Sequence, residues 1–154
     1  MRKAFAWLAA LLMLAVVAQF FLAASGAFDT APDDESFKPH RALGYGIVLL
    51  AVVLTVVAAL ARMPRRLIGL SGLVVGLGIL QPVIAVIAEA FGDSGDTTTA
   101  GRLVFGLHAV NGLLMMSVVR TVLQQARRPA TAAPTTRAGA GDADSAAGPA
   151  AGSA

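Results

Sequence analysis

The sequence predicts an all-α fold: a polytopic membrane protein built as a four-helix antiparallel transmembrane bundle with a disordered C-terminal tail. Three observations predict it. Hydrophobic residues make up 56% of the 154 residues and charged residues only 14%, whereas a soluble domain carries about 25% charged residues. The charges are clustered, which leaves four long uncharged runs. The sign of the charge then alternates from one interhelical segment to the next. This composition excludes a soluble enzyme and a disordered regulator. The absence of cysteine excludes a disulfide scaffold, a thiol nucleophile, a Cys-ligated cluster and covalent c-type haem attachment.

The uncharged runs are 4–28, 42–61, 67–88 and 103–119, of 25, 20, 22 and 17 residues. About 20 apolar residues cross the hydrocarbon core as a helix. In lipid the backbone must satisfy its own hydrogen bonds, so these runs are helices and not isolated strands. The first run resembles a secretion signal, with Arg2 and Lys3 ahead of it and Ala23-Ala24-Ser25 near its end. It is far longer than the roughly 7–15 residues of a signal core, so it reads as a span. The fourth run is short and is expected to continue to Gln125, with Arg120 snorkelling to the interface. The predicted transmembrane domain is 1–128, with helices near 4–28, 40–61, 67–90 and 102–125. Residues 129–154 contain 11 alanines, four glycines and three prolines, and no Leu, Ile, Val or Phe. Such a segment cannot bury enough apolar surface to offset its ordering entropy and is expected to be disordered.

Nine cations fall on one side of this topology: Arg2, Lys3, Arg62, Arg65, Arg66, Arg120, Arg127, Arg128 and Arg137. The other two loops hold Lys38, Arg41 and Arg102 beside seven of the nine acids: Asp29, Asp33, Asp34, Glu35, Glu89, Asp93 and Asp96. The positive-inside rule places both termini in the cytoplasm of a bacterial-type cell membrane. The basic residues are thereby accounted for as topology signals, and no nucleic-acid partner is expected despite the net charge of +3.

The two halves of the chain echo each other. Gln19 on the first span precedes His40-Arg41-Ala42-Leu43-Gly44 at the start of the second. Gln81 on the third precedes His108-Ala109-Val110-Asn111-Gly112 on the fourth. Two hairpins of like direction suggest a parallel repeat about an axis along the membrane normal. His40 and His108 are the only histidines. Gly44 and Gly112 share each histidine's helical face one turn deeper and would leave a slot beside the imidazole. Two neutral imidazoles facing each other across a bundle are a way to hold the iron of haem b without cysteine. The depths agree: His40 is 22 residues from Arg62 and His108 is 19 from Arg127, about 33 and 28 Å of helix. Lys38, Arg41 and Arg102 lie within six residues of a histidine and could pair with haem propionates.

Gln19, Gln81 and Asn111 are the other strongly polar groups within spans and are expected to face the bundle. They would orient the imidazoles, contact a ligand such as a quinone, or tie helices together. Gly72-x-x-x-Gly76 reads as a close-packing signature. Pro82 is expected to kink the third span. Trp7 and Tyr45 read as interfacial anchors. No zinc site, phosphate loop or Ser/His/Asp order is supported, no catalytic residue is assigned, and the reading leans away from an enzyme.

The residues around the histidines resemble the haem A synthase family. Pro39-His40-Arg41-Ala42-Leu43-Gly44-Tyr45 looks like its second-helix histidine motif. Leu77-Gly78-Ile79-Leu80-Gln81 looks like its third-helix segment, and Arg102-Leu103-Val104-Phe105-Gly106-Leu107-His108 like its fourth-helix motif. The resemblance implies a single haem-binding half with His40 and His108 as axial ligands. Phe37 stands where that family's catalytic half has a glutamate, the cysteine pair is missing, and only one half is present. It therefore implies haem binding or electron transfer, and not haem A synthesis. The chain also resembles a family of small four-helix bacterial membrane proteins of no known activity. The leading expectation is a small cytochrome b-like protein that transfers electrons or senses redox state, with the bilayer and a quinone or redox protein as partners. The alternative is a haem-free membrane scaffold or accessory subunit. Weaker alternatives are a small transporter and an external pH sensor built on the two histidines. The oligomeric state is left open.

Overall fold

The computed structural model describes residues 2–92 and 98–127. It contains α1 (Arg2–Ala27), α2 (Asp33–Ser36), α3 (Lys38–Leu60), α4 (Arg65–Ala90) and α5 (Thr99–Arg127). Four of these helices are long and apolar enough to cross a membrane. The predicted spans are therefore present, each with bounds shifted by three residues or fewer. The predicted tail, and Asp93 and Asp96 of the α4–α5 loop, lie outside the described residues.

The four long helices form a ring in which α1 packs on α3, α3 on α4, α4 on α5 and α5 on α1. The diagonal pairs are α1 with α4 and α3 with α5. The buried positions recur at intervals of four and three residues. They are Phe5, Ala9, Leu12 and Val16 on α1, and Ile47, Ala51, Leu54 and Ala58 on α3. This is the seam of a left-handed bundle. α4 adds Leu67, Ser71 and Val74, and α5 adds Met115, Val118, Val119 and Val122. All these layers lie from the middle of the bundle to the end where Lys3 and Arg127 line a common groove. The outward surface is apolar too: Trp7, Leu14, Phe21, Leu49, Leu60 and Leu103 are exposed, as a lipid-facing surface requires.

The α3–α4 turn closes by a Schellman motif. The Met63 N–H donates to the Ala58 carbonyl at 2.9 Å and the Arg62 N–H to the Ala59 carbonyl at 3.0 Å. Arg62 takes the left-handed position at φ 50°, where glycine is usual. Met63 is buried and closes the apolar contact.

One expectation from the sequence is corrected. Gly69, Gly72 and Gly76 face nothing within 4 Å of where a Cβ would stand. The Gly72-x-x-x-Gly76 stripe therefore does not pack helices within this bundle. The close approach falls to Gly78, whose Cβ would lie 2.9 Å from Val48 Cγ2 on α3. α4 also runs through Pro82 as one uninterrupted helix. The short α2 had no periodic signal. It packs over the end of α1, where a Cβ on Gly26 would stand 2.8 Å from the Ser36 carbonyl oxygen.

Candidate functional site

His40, His108, Gln19, Gln81 and Asn111 gather toward the end of the bundle opposite Arg2 and Arg127. α3 and α5 are diagonal, and each contributes one histidine. The rings of His40 and His108 face across the bundle with centroids 6.1 Å apart and planes tilted by 44°. The other diagonal, α1 and α4, contributes Gln19 and Gln81.

Helix ends explain how two differently placed histidines meet. α3 begins two residues before His40, whereas α5 begins nine residues before His108. From each histidine to the far helix end there are 20 residues on α3 and 19 on α5. The imidazoles are thus at one level, and α5 overhangs the site. Arg120 is a residue within α5 and not its boundary.

The repeat is carried into atomic contacts. His40 Nδ1 lies 3.2 Å from the Gln19 carbonyl oxygen, and His108 Nδ1 lies 3.3 Å from the Gln81 carbonyl oxygen. A carbonyl only accepts, so each Nδ1 carries a proton, and in the neutral ring Nε2 is then the acceptor. The Gln19 amide also donates from Nε2 to the His40 carbonyl at 2.9 Å, and lies 3.2 Å from His40 Nε2. Asn111 Nδ2 donates to the Leu77 carbonyl at 2.9 Å and ties α5 to α4.

Gly44 and Gly112 do accompany the histidines, but the space beside each is taken by a glutamine amide. A Cβ on Gly44 would stand 3.2 Å from Gln19 Nε2. One on Gly112 would stand 3.3 Å from Gln81 Nε2 and equally close to Phe20 Cζ. The glycines make room for the glutamines. The carbonyl oxygens of both amides, Gln19 Oε1 and Gln81 Oε1, are buried and lack a hydrogen-bond partner among the described residues.

A further pair extends the repeat beyond what the sequence reading found. Phe37 meets the His40 ring edge-on, with centroids 6.2 Å apart. Phe105 stacks on the His108 ring, at 5.3 Å and 10°. Each phenylalanine precedes its histidine by three residues, so Phe-x-x-His-x-x-x-Gly occurs once in each half. The spacing is visible in the sequence, but the ring contacts that give it meaning arise only in the fold.

The three cations near the site are exposed. Arg41 donates to the Asp34 backbone carbonyl and lies 3.6 Å from the Asp34 carboxylate. Arg102 donates to Thr99 Oγ1 at 3.2 Å. Among the described residues no cluster of three or more His, Cys, Asp or Glu side chains could hold a metal ion by itself. Any metal here would need a ligand frame of its own.

Residues 19–89 match the model of a family of unknown function, DUF6220. The match begins at Gln19 and takes in His40, Gly44 and Gln81, but stops short of His108 and Gly112. It is not a match to haem A synthase, so that resemblance rests on the three short motifs alone. No curated protein and no solved structure matches the chain.

Proposed function

We propose that this integral membrane protein binds one haem b through His40 and His108 and uses it for electron transfer or redox sensing. The observation that carries the reading is the pair of diagonal imidazoles with centroids 6.1 Å apart, each with Nδ1 at a backbone carbonyl. A metal–imidazole bond of about 2.0 Å on each side, plus about 1.1 Å from nitrogen to ring centre, separates collinear centroids by about 6.2 Å. The donor chemistry fits as well, because a ligating imidazole is held by a hydrogen bond at its other nitrogen. Bound there, haem would supply a one-electron couple inside the bilayer. His40 and His108 would hold its iron, and Gln19 and Gln81 would orient them through their backbone carbonyls. Arg41 and Arg102 are the cations available for its propionates. The Gln19 amide beside His40 Nε2 would have to give way to the iron. The glutamine amides beside Gly44 and Gly112 are therefore the groups expected to move.

A second reading has a specific observation behind it. The contacts of Gln19 to His40, and of Asn111 to Leu77, make a polar clasp between helices that could serve a haem-free scaffold. That clasp leaves Gln19 Oε1 and Gln81 Oε1 buried without a donor among the described residues, a need that a hydrogen-bond donor such as a water molecule would meet in either reading. Protein from haem-replete cells is expected to carry one haem per chain by pyridine haemochrome assay. A folded chain without haem under those conditions leaves only the clasp.

We also propose that both termini are cytoplasmic. At the termini end stand Arg2, Lys3, Arg62, Arg65, Arg66 and Arg127, while the described acids all lie at the opposite end. Fluorescent-protein fusions to either terminus should fluoresce, and periplasmic phosphatase fusions to either terminus should be inactive. Active phosphatase at one terminus would overturn the assignment.

A further inference from the structure

We infer that the termini end of the α1–α5 seam is a binding groove for the headgroup of an anionic phospholipid. This does not depend on the haem reading. An open groove of about 310 Å³ is lined by Lys3, Ala6, Trp7, Ala10 and Arg127. The first four recur at intervals of three, one and three residues and so occupy one face of α1. Arg127 comes from the last turn of α5.

The lining is amphipathic along its length. Two of the lining side chains, Lys3 and Arg127, are exposed cations. The rest of the lining is apolar: the small side chains of Ala6 and Ala10 and the indole of Trp7. A ligand that matches has an anionic end and an apolar end joined in one molecule, which describes an acidic phospholipid. Basic pockets between transmembrane helices at this level bind anionic headgroups. The sequence supplies no competing acid nearby. There is none from residue 1 to 28 or from 97 to 141, and the described acids are confined to 29–35 and Glu89 at the other end. The unpaired backbone N–H groups of the first turn of α1 add to the positive potential.

Trp7 is the only tryptophan, so its fluorescence reports this groove directly. The full chain is reconstituted in phosphatidylcholine vesicles with a minor component of acyl-brominated lipid, either phosphatidylglycerol or phosphatidylcholine. Brominated phosphatidylglycerol is expected to quench Trp7 well beyond its bulk share, and brominated phosphatidylcholine only in proportion to it. Each cation near the surface contributes roughly fivefold to the local preference. The double variant Lys3→Gln/Arg127→Gln should therefore lose nearly all of it. The charge-matched double variant Arg65→Gln/Arg66→Gln, altered at the same end but outside the groove, should keep it. Equal quenching by the two brominated lipids would overturn the assignment. So would equal loss in the two double variants, which would make the attraction a property of the whole basic end.

Discussion

Alanine at either His40 or His108 is expected to abolish the haem absorption and leave a folded, haem-free bundle. Changing a group that only orients a metal ligand costs about 10–100-fold in metal affinity. Removing the ligand itself should exceed that, because in the proposed site each histidine would supply one of the two protein bonds to the iron. The fold should survive because the apolar layers built from Phe5, Leu12, Leu54, Val74, Val119 and Val122 lie toward the other end of the bundle. His40 and His108 are only partly buried, and their contacts are a few polar bonds of about 0.6 kcal/mol each in a membrane bundle. Visible absorption and far-ultraviolet circular dichroism on the same samples check both halves of this expectation. Retention of the Soret band by either variant, at wild-type stoichiometry, would remove that histidine from the ligand set.

A second large effect is expected on α4, where two glycines near each other in sequence should behave in opposite ways. Gly78→Val places a branched side chain where even a Cβ would stand 2.9 Å from Val48 Cγ2. α3 and α4 must then separate, and overpacking of this kind costs about 1–3 kcal/mol. Gly72→Val adds the same atoms where nothing lies within 4 Å, so its effect should stay within about 0.5 kcal/mol. Both follow from which face of α4 meets α3, and thermal unfolding in detergent measures them side by side. A Gly72→Val loss as large as that of Gly78→Val would mean that the outward glycine face is itself a packed surface, for instance against another copy of the chain.

Much of the architecture was legible because the bilayer constrains it so tightly. Four uncharged runs can only be helices, and their loops can only alternate sides, so the antiparallel bundle followed from Ala4 to Gln125 almost by counting. The pairing of His40 with His108 was legible for the same reason, since roughly similar distances to Arg62 and Arg127, 22 and 19 residues, put them at similar depth. What the sequence did not disclose was which face each residue turns. The outward face of α4 is apolar, as the inward one is, so hydropathy could not show that Gly72 looks out and Gly78 looks in. The roles of Gly44 and Gly112 depended on the reach of two glutamine side chains from neighbouring helices, which no spacing within one helix encodes. The phenylalanines at 37 and 105 carried a legible repeat, but its meaning needed the ring contacts with His40 and His108.

The central claim is that the two imidazoles ligate one iron, and the most direct measurement is a reduced-minus-oxidised absorption spectrum of the purified full-length protein from haem-replete cells. The account predicts a sharp α-band of a six-coordinate b-type haem on reduction with dithionite. A flat difference spectrum from folded protein would contradict it, and the His40–Gln19 and Asn111–Leu77 contacts would then stand as a polar clasp between helices.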